Sequence, residues 1–167
     1  VICSAVLMAA RNNTTNNTEK FMNNLTCNEK QASCISAIAC YEAQGNLGKL
    51  AESINNGLDN GLTVSQIKEA LSQLYAYTGF PRSLNALGTL QKVVADRDAK
   101  GLKTELGEDA SPFPSNYDAL KQGTDVQTKL SGQPFNYDFC PAEDYYLKAH
   151  LFGDIFARNN LTHADRE

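Results

Sequence analysis

Five cysteines, two histidines and a closing glutamate are the residues of this 167-residue chain with the most reactive side chains. Cys34 and Cys40 share the segment QASCISAIACYEAQGN. Six residues apart, they stand roughly 240° apart around a helix, so they face different ways and cannot pair while that helix is intact. No pair has C-x-x-C spacing, and the odd count, with Cys3, Cys27 and Cys140, leaves at least one thiol free. Cys40 alone could be a reactive thiol, although a buried structural cysteine is the plainer expectation. Of the histidines, His150 lies in LKAHLFGDIF, where packing or a helix–helix hydrogen bond is the plainer role and proton transfer the catalytic one. His163 follows Thr162 and is expected to face solvent. No His/Cys/Asp/Glu group has metal-ligand spacing, and the residues call for no cofactor. Tyr75 and Tyr77 are placed to line a pocket or to fill an aromatic core. Arg82, next to Pro81, could hold an anionic substrate at a helix N-terminus, or simply be a solvated first-turn arginine.

The elements that must position these groups read as helices. Apolar residues at three-and-four spacing predict one over about Cys27–Gln44, with Ile35, Ile38 and Ala39 inward, and a second over about Leu47–Asn60, with Leu47, Leu50, Ile54 and Leu58 on one face. Thr63 and Gln66 form a capping box ahead of a third, whose inner stripe is Val64, Ile67, Leu71, Leu74 and Thr78. Gly79 breaks it, Pro81 opens the next, and Leu84, Leu87, Leu90 and Val94 continue to about Lys100. Gly101–Pro114 reads as a loop, Asn116–Leu130 as a helix, and a last helix from Glu143 carries Tyr146, Leu147, His150, Leu151, Ile155 and Phe156, with His150 on its apolar face. No segment alternates with a period of two, so the expected class is all-α, built from antiparallel helical hairpins.

A repeat runs through this layout. Phe21–Gln31 reads FMNNLTCNEKQ and Phe156–Glu167 reads FARNNLTHADRE, sharing a phenylalanine and the tetrapeptide NNLT. Each carries a capping-box pattern, Thr26 with Glu29 and Thr162 with Asp165. The expectation is one full repeat and the opening of a second.

Net charge is −4 and there is no basic run, which argues against nucleic acid as a partner. No apolar stretch approaches the length of a membrane span. The opening VICSAVLMAA is apolar and ends in small residues, so it reads either as a packed segment or as the end of a signal peptide. The compartment expected is accordingly the cytoplasm, with export as the alternative. Sequons stand at Asn12, Asn13, Asn16, Asn24 and Asn160.

Gly57–Leu87, GLDNGLTVSQIKEALSQLYAYTGFPRSLNAL, adds a resemblance. Gly61-Leu62-Thr63, Glu69–Leu71, Tyr77-x-Gly79-Phe80-Pro81 and Asn85-Ala86 resemble the carboxymuconolactone decarboxylase family, which includes alkyl hydroperoxidase D. The resemblance implies an alkyl hydroperoxidase D-like helical bundle, self-association as trimers or hexamers, and a small-molecule site between helices. The tail LKAHLFGDIFARNNLTHADRE resembles the entry to the second half in members built from two fused copies. The chain then divides into a lead-in (1–24), a first repeat (25–100), a linker with a short helix (101–141) and the start of a second repeat (142–167).

Two chemistries go with that family. Its peroxidase branch uses a C-x-x-C pair with a histidine and a glutamate, one thiolate attacking the peroxide and the second resolving it. Its decarboxylase branch uses a histidine eight residues before the glycine of G-L-T, which is Ser53 here, and a glutamate that is Gln31 in the first repeat. The first repeat therefore reads as a non-catalytic copy. Arg166-Glu167 restores the arginine–glutamate pair, which makes Glu167 the expected acid–base carboxylate, with its partner histidine beyond this chain. Three readings follow: acid–base chemistry on a small organic acid or lactone, peroxide reduction through Cys40 or further cysteines, and a non-catalytic helical assembly.

Overall fold

A computed structural model describes residues 27–167, so the lead-in, its sequons, Cys3, the possible signal-peptide end and all of the first FMNNLT stretch, Thr26 included, lie outside the described residues. Every regular element among the described residues is a helix: α1 (Glu29–Gln44), α2 (Leu47–Asp59), α3 (Val64–Thr78), α4 (Phe80–Ala99), α5 (Ala119–Ser131), α6 (Pro141–Tyr145), a π-helix (Tyr146–Ile155) and α7 (His163–Arg166). They fall into two compact units. One holds the described residues up to Ala110 together with Asn160–Arg166, and the other holds Ser111–Asn159 and Glu167.

In the first unit, α1 and α2 form one hairpin and α3 and α4 another, with α1 against α3 and α2 against α4. Gly45 closes α1 in the left-handed region at φ +69°, where a residue without Cβ is unstrained. Gly79 at φ +84° both ends α3 and starts α4, and Pro81 sits in the first turn, where its missing N–H leaves no helical bond unmade. The cap of α1 differs from the expected one. Asn28 accepts from the Gln31 amide at 3.0 Å while the Gln31 side chain accepts from the Asn28 amide, so the box is Asn28–Gln31 and Glu29 is already helical. The Thr63–Gln66 box forms as its spacing suggests.

The core of this unit is Cys34 and Ile38 from α1, Leu50, Ile54 and Leu58 from α2, Leu62, Ile67, Ala70 and Leu71, and Ala86, Leu90 and Val93 from α4, with Cys27 and Leu161 at its edge. On α4, Leu90 is buried and Leu87 and Val94 pack against the core as read, but Leu84 does not. Leu84 is 62% exposed, and the buried residues are Ser83, Ala86, Leu90, Val93 and Arg97. Two polar side chains complete that stripe because each finds partners inside. The Ser83 hydroxyl donates to the Leu71 carbonyl at 2.8 Å. Arg97 donates to Asn55 Oδ1, Asp59 Oδ1, Thr104 Oγ1 and the Lys103 carbonyl, pinning the loop after α4 to α2. That loop then supplies carbonyls of Glu105 and Leu106 to the first amides of α3, which a helix start leaves without intrahelical partners.

Asn160–Arg166, the opening of the second NNLT segment, belongs to this same unit. Leu161 is buried in its core, and Thr162 and Asp165 form the expected cap of α7. Asp165 also accepts the Cys27 amide at 3.3 Å, so the helix openings of the two repeated segments meet at one carboxylate.

The second unit is built on α5 against the π-helix. A Cβ on Gly123 would lie 1.7 Å from the Lys148 carbonyl oxygen, and one on Gly153 would lie 2.0 Å from that of Ala119. The two backbones touch, which only glycine permits at these positions. No helix among the described residues is long and apolar enough to cross a membrane.

Candidate active site

The π-helix alters what the last helix presents. Its ladder is i→i+5, with the Phe156 amide reaching the Leu151 carbonyl at 2.9 Å. Its buried residues are Lys148, Ala149, Phe152, Gly153 and Ile155 rather than Tyr146, Leu147, His150 and Leu151. His150, expected on the packed face, is instead about half exposed, because the wider turn shifts every face away from the 3.6-residue stripe. Lys148 turns inward and is satisfied there, its Nζ donating to Asn136 Oδ1 at 2.9 Å and Asp144 Oδ2 at 2.8 Å. The Lys148 ammonium holds the Asp144 carboxyl below its usual range.

His150 stands at an open cleft of about 360 Å³ lined by Phe113, Tyr117, Ala119, Tyr145, Tyr146, Ala149 and Asp154. Its Nδ1 is 3.3 Å from Asp154 Oδ2. A carboxylate beside Nδ1 can orient the ring, an arrangement in which Nε2 is the nitrogen that could meet a ligand. The walls are aromatic. Phe113 and Tyr117 stack with centroids 4.2 Å apart, and Tyr145 meets Tyr146 edge-on at 6.1 Å. The Tyr117 hydroxyl donates to the Gly153 carbonyl, which fixes that ring against the π-helix. Burial, and secondarily the charge of Asp154, push the Tyr117 phenol above its ordinary value.

The other sequence candidates lie elsewhere. Cys40 is exposed on α1, contrary to the expectation of a buried thiol, because its position faces away from the stripe of Cys34 and Ile38. Cys34 is buried, and its sulfur accepts from Asn56 Nδ2 at 3.4 Å. Tyr75 stacks on Phe80 with centroids 4.3 Å apart, and Tyr77 is 47% exposed beside the α3–α4 turn. The Arg82 guanidinium donates to the Ala43 carbonyl at the end of α1 and lies over Gly45. That placement ties two helix ends together. Gln31, besides capping α1, donates to the Gly61 carbonyl at 2.9 Å, and Ser53 is half-buried in α2.

Arg166 and Glu167 part company. The Arg166 side chain is fully buried, with Nη2 2.9 Å from Glu69 Oε1 and Nη1 3.0 Å from Gln73 Oε1. Gln73 Nε2 also donates to the Arg166 carbonyl at 2.9 Å, so the residue before Glu167 is held at backbone and side chain. Glu167 is exposed as a whole residue, yet partial desolvation raises its carboxyl pKa. The Asn160 sequon is engaged internally, its Nδ2 3.4 Å from Ser65 Oγ and its Thr162 hydroxyl 2.6 Å from Asp165.

Sequence reading missed Asp154 and the rings of Phe113, Tyr117 and Tyr145. The H-x-x-x-D spacing was the available signal for Asp154, since residues four apart on a helix are neighbours. Phe113 and Tyr117 come from a proline-rich turn with no periodicity to expose them. Glu42 was also unmarked. It is 1% exposed, with Oε1 accepting from Thr78 Oγ1 at 2.8 Å. Among the described residues no group of three or more His, Cys, Asp and Glu is arranged to hold a metal ion. Compared with protein-family models and with curated proteins, the chain matches none.

Proposed function

We propose that the chain is an enzyme of the carboxymuconolactone decarboxylase type, with the alkyl hydroperoxidase D-like bundle that the Gly57–Leu87 motifs imply, and that it works by proton transfer on a small lactone or organic acid. The observation that carries this reading is the His150–Asp154 pair, 3.3 Å apart at the rim of a ring-lined cleft. His150 takes a proton from the carbon beside a ring carbonyl. The electron pair left behind spreads onto the carbonyl oxygen, and the imidazolium, steadied by Asp154, returns the proton to that carbon or to a conjugated one. Atoms and charge balance without a co-reactant or cofactor. A positioned imidazole contributes about 10²–10⁴-fold to such a step. Glu167 is the second group in this proposal, since desolvation moves its carboxyl toward the range in which acids and bases work at neutral pH. Self-association into trimers or hexamers belongs to the same reading, and Tyr77, Phe80 and Leu84 offer exposed apolar surface for it at the α3–α4 turn.

The peroxidase reading is the weaker one, because Cys34 is buried and Cys40 exposed on one helix. The test is a pair of assays on the chain: loss of ultraviolet absorbance of an unsaturated γ-lactone, and thiol-dependent loss of a hydroperoxide. Lactone turnover that His150→Gln reduces at least about 10²-fold and Cys40→Ser leaves unchanged is the expected outcome. Hydroperoxide loss abolished by Cys40→Ser would replace this proposal with the peroxidase one.

A further inference from the structure

Resting on the reading that the His150 cleft is the active site, we infer that Gly123 and Gly153 are positioning residues, which hold the last helix in its π register and so set where His150 and Asp154 stand. Nothing local demands a π-helix over Tyr146–Ile155. The segment has no proline, and Leu147, Leu151 and Ile155 stand four apart, the spacing of an α-helical face. The cause lies in α5. Ala119 and Gly123, four apart, share one face of that helix. A Cβ on Gly123 would lie 1.7 Å from the Lys148 carbonyl oxygen and 2.6 Å from the Gly153 nitrogen, and one on Gly153 would lie 2.0 Å from the Ala119 carbonyl oxygen. The contact points on the facing helix, Lys148 and Gly153, are therefore five residues apart. In an α-helix residues five apart stand roughly 140° apart, so one neighbour cannot touch both. An i→i+5 ladder brings them nearly into line. Side chains tie both points as well, Asn136 and Asp144 holding Lys148 Nζ and the Tyr117 hydroxyl holding the Gly153 carbonyl. An α-helix fixed at Lys148 would swing Gly153 away from α5 and carry Asp154 away from Tyr117. In the π register Asp154 lines the cleft with Tyr117, its Oδ2 3.3 Å from His150 Nδ1. Only glycine at 123 and 153 leaves room for that approach.

The ladder itself can be read by NMR. Couplings transmitted across hydrogen bonds identify which carbonyl each amide meets, and the Phe156 amide meets that of Leu151. In Gly123→Ala and Gly153→Ala it is expected to move to the Phe152 carbonyl, its α-helical partner. With that change, kcat on the unsaturated γ-lactone is expected to fall by about 10²-fold, the loss that a misplaced catalytic group brings. Gly88→Ala, whose added Cβ meets nothing within 4 Å, should leave both readings unchanged. Should the added methyl prevent folding, deletion of Leu151 decides. It sets Lys148 and Gly153 four apart, which an α-helix turns to one side, so the shortened chain is expected to fold with an i→i+4 ladder. A folded Gly123→Ala chain in which Phe156 still meets Leu151 overturns the inference, as does a shortened chain that keeps i→i+5 pairing or does not fold. The two proposals fail separately. A ladder that follows the glycines in a chain without lactone turnover would sink the catalytic reading alone. Turnover that needs His150 but is unaltered in a Gly123→Ala chain whose ladder has become α-helical would sink the positioning role alone.

Discussion

Cys27 is a thiol whose surroundings decide its chemistry. It is 3% exposed, and burial first, then the Asp165 carboxylate, push its pKa from 9.0 up to about 12. Thiolate is the nucleophilic form, so Cys27 is inert where exposed Cys40 is open to reagent. The linkage has a definite sign. A folded-state pKa raised above the unfolded one means the native chain holds the proton more tightly. Stability is therefore undiminished below about pH 9 and lost as pH rises from about 9 to about 12, by up to roughly 1.4 kcal/mol per unit. Denaturant unfolding across that range should give a steeper alkaline decline for the native sequence than for Cys27→Ala, and parallel declines would refute the burial argument. His150 makes the complementary case. Its partner Asp154 was readable as a residue four positions on, but its exposure was not, because reading LKAHLFGDIF with a 3.6-residue period puts the histidine inside.

At the scale of elements, α1 to α3 were legible from spacing, caps and glycine stops. Most of each apolar stripe is buried, although Leu47 at the start of α2 is 43% exposed and α3 also buries Ser65, Glu69 and Gln73, and Gly45 and Gly79 sit where the chain needs positive φ. α4 was legible as a helix and in most of its stripe, apart from exposed Leu84, while Ser83 and Arg97 hold buried positions by hydrogen bonding, which a hydrophobic pattern does not register. α7 is a short helix with one fully buried side chain, that of Arg166. Arg166→Leu would remove the guanidinium that pairs with Glu69, a carboxylate 4% exposed, and should cost about 3–5 kcal/mol by chemical denaturation. Replacing both residues by leucine should recover most of that, because removing both members of a buried pair avoids the cost of breaking it. The α5–π-helix contact is stricter. Gly123→Ala puts a Cβ 1.7 Å from the Lys148 carbonyl oxygen, a backbone atom that cannot swing aside, and should cost about 3 kcal/mol or more. A thermal scan in which Gly123→Ala melts with the native chain would contradict the close backbone approach. Sequence alone could not reveal that approach, since glycine in a helix signals equally a packing contact or a simple loss of propensity.

For the molecule, helices dominate both compact units, while the side chains with chemistry divide unevenly between them. In the unit containing α1–α4, the positions where the family resemblance expects acid–base groups hold Gln31, a capping residue, and the half-buried Ser53. In the other unit, on the π-helix, the His150 imidazole stands beside the Asp154 carboxylate. The claim that joins these observations is that His150, backed by Asp154, moves protons for a ring bound among Phe113, Tyr117, Tyr145 and Tyr146. Its most direct measurement is proton exchange at the carbon beside the carbonyl of an unsaturated γ-lactone in deuterium oxide, followed by NMR with the native chain, His150→Gln and Asp154→Asn. The account predicts catalysed exchange, reduced by about 10²–10⁴-fold in His150→Gln and by a smaller factor in Asp154→Asn. Exchange at the native rate in His150→Gln would contradict it.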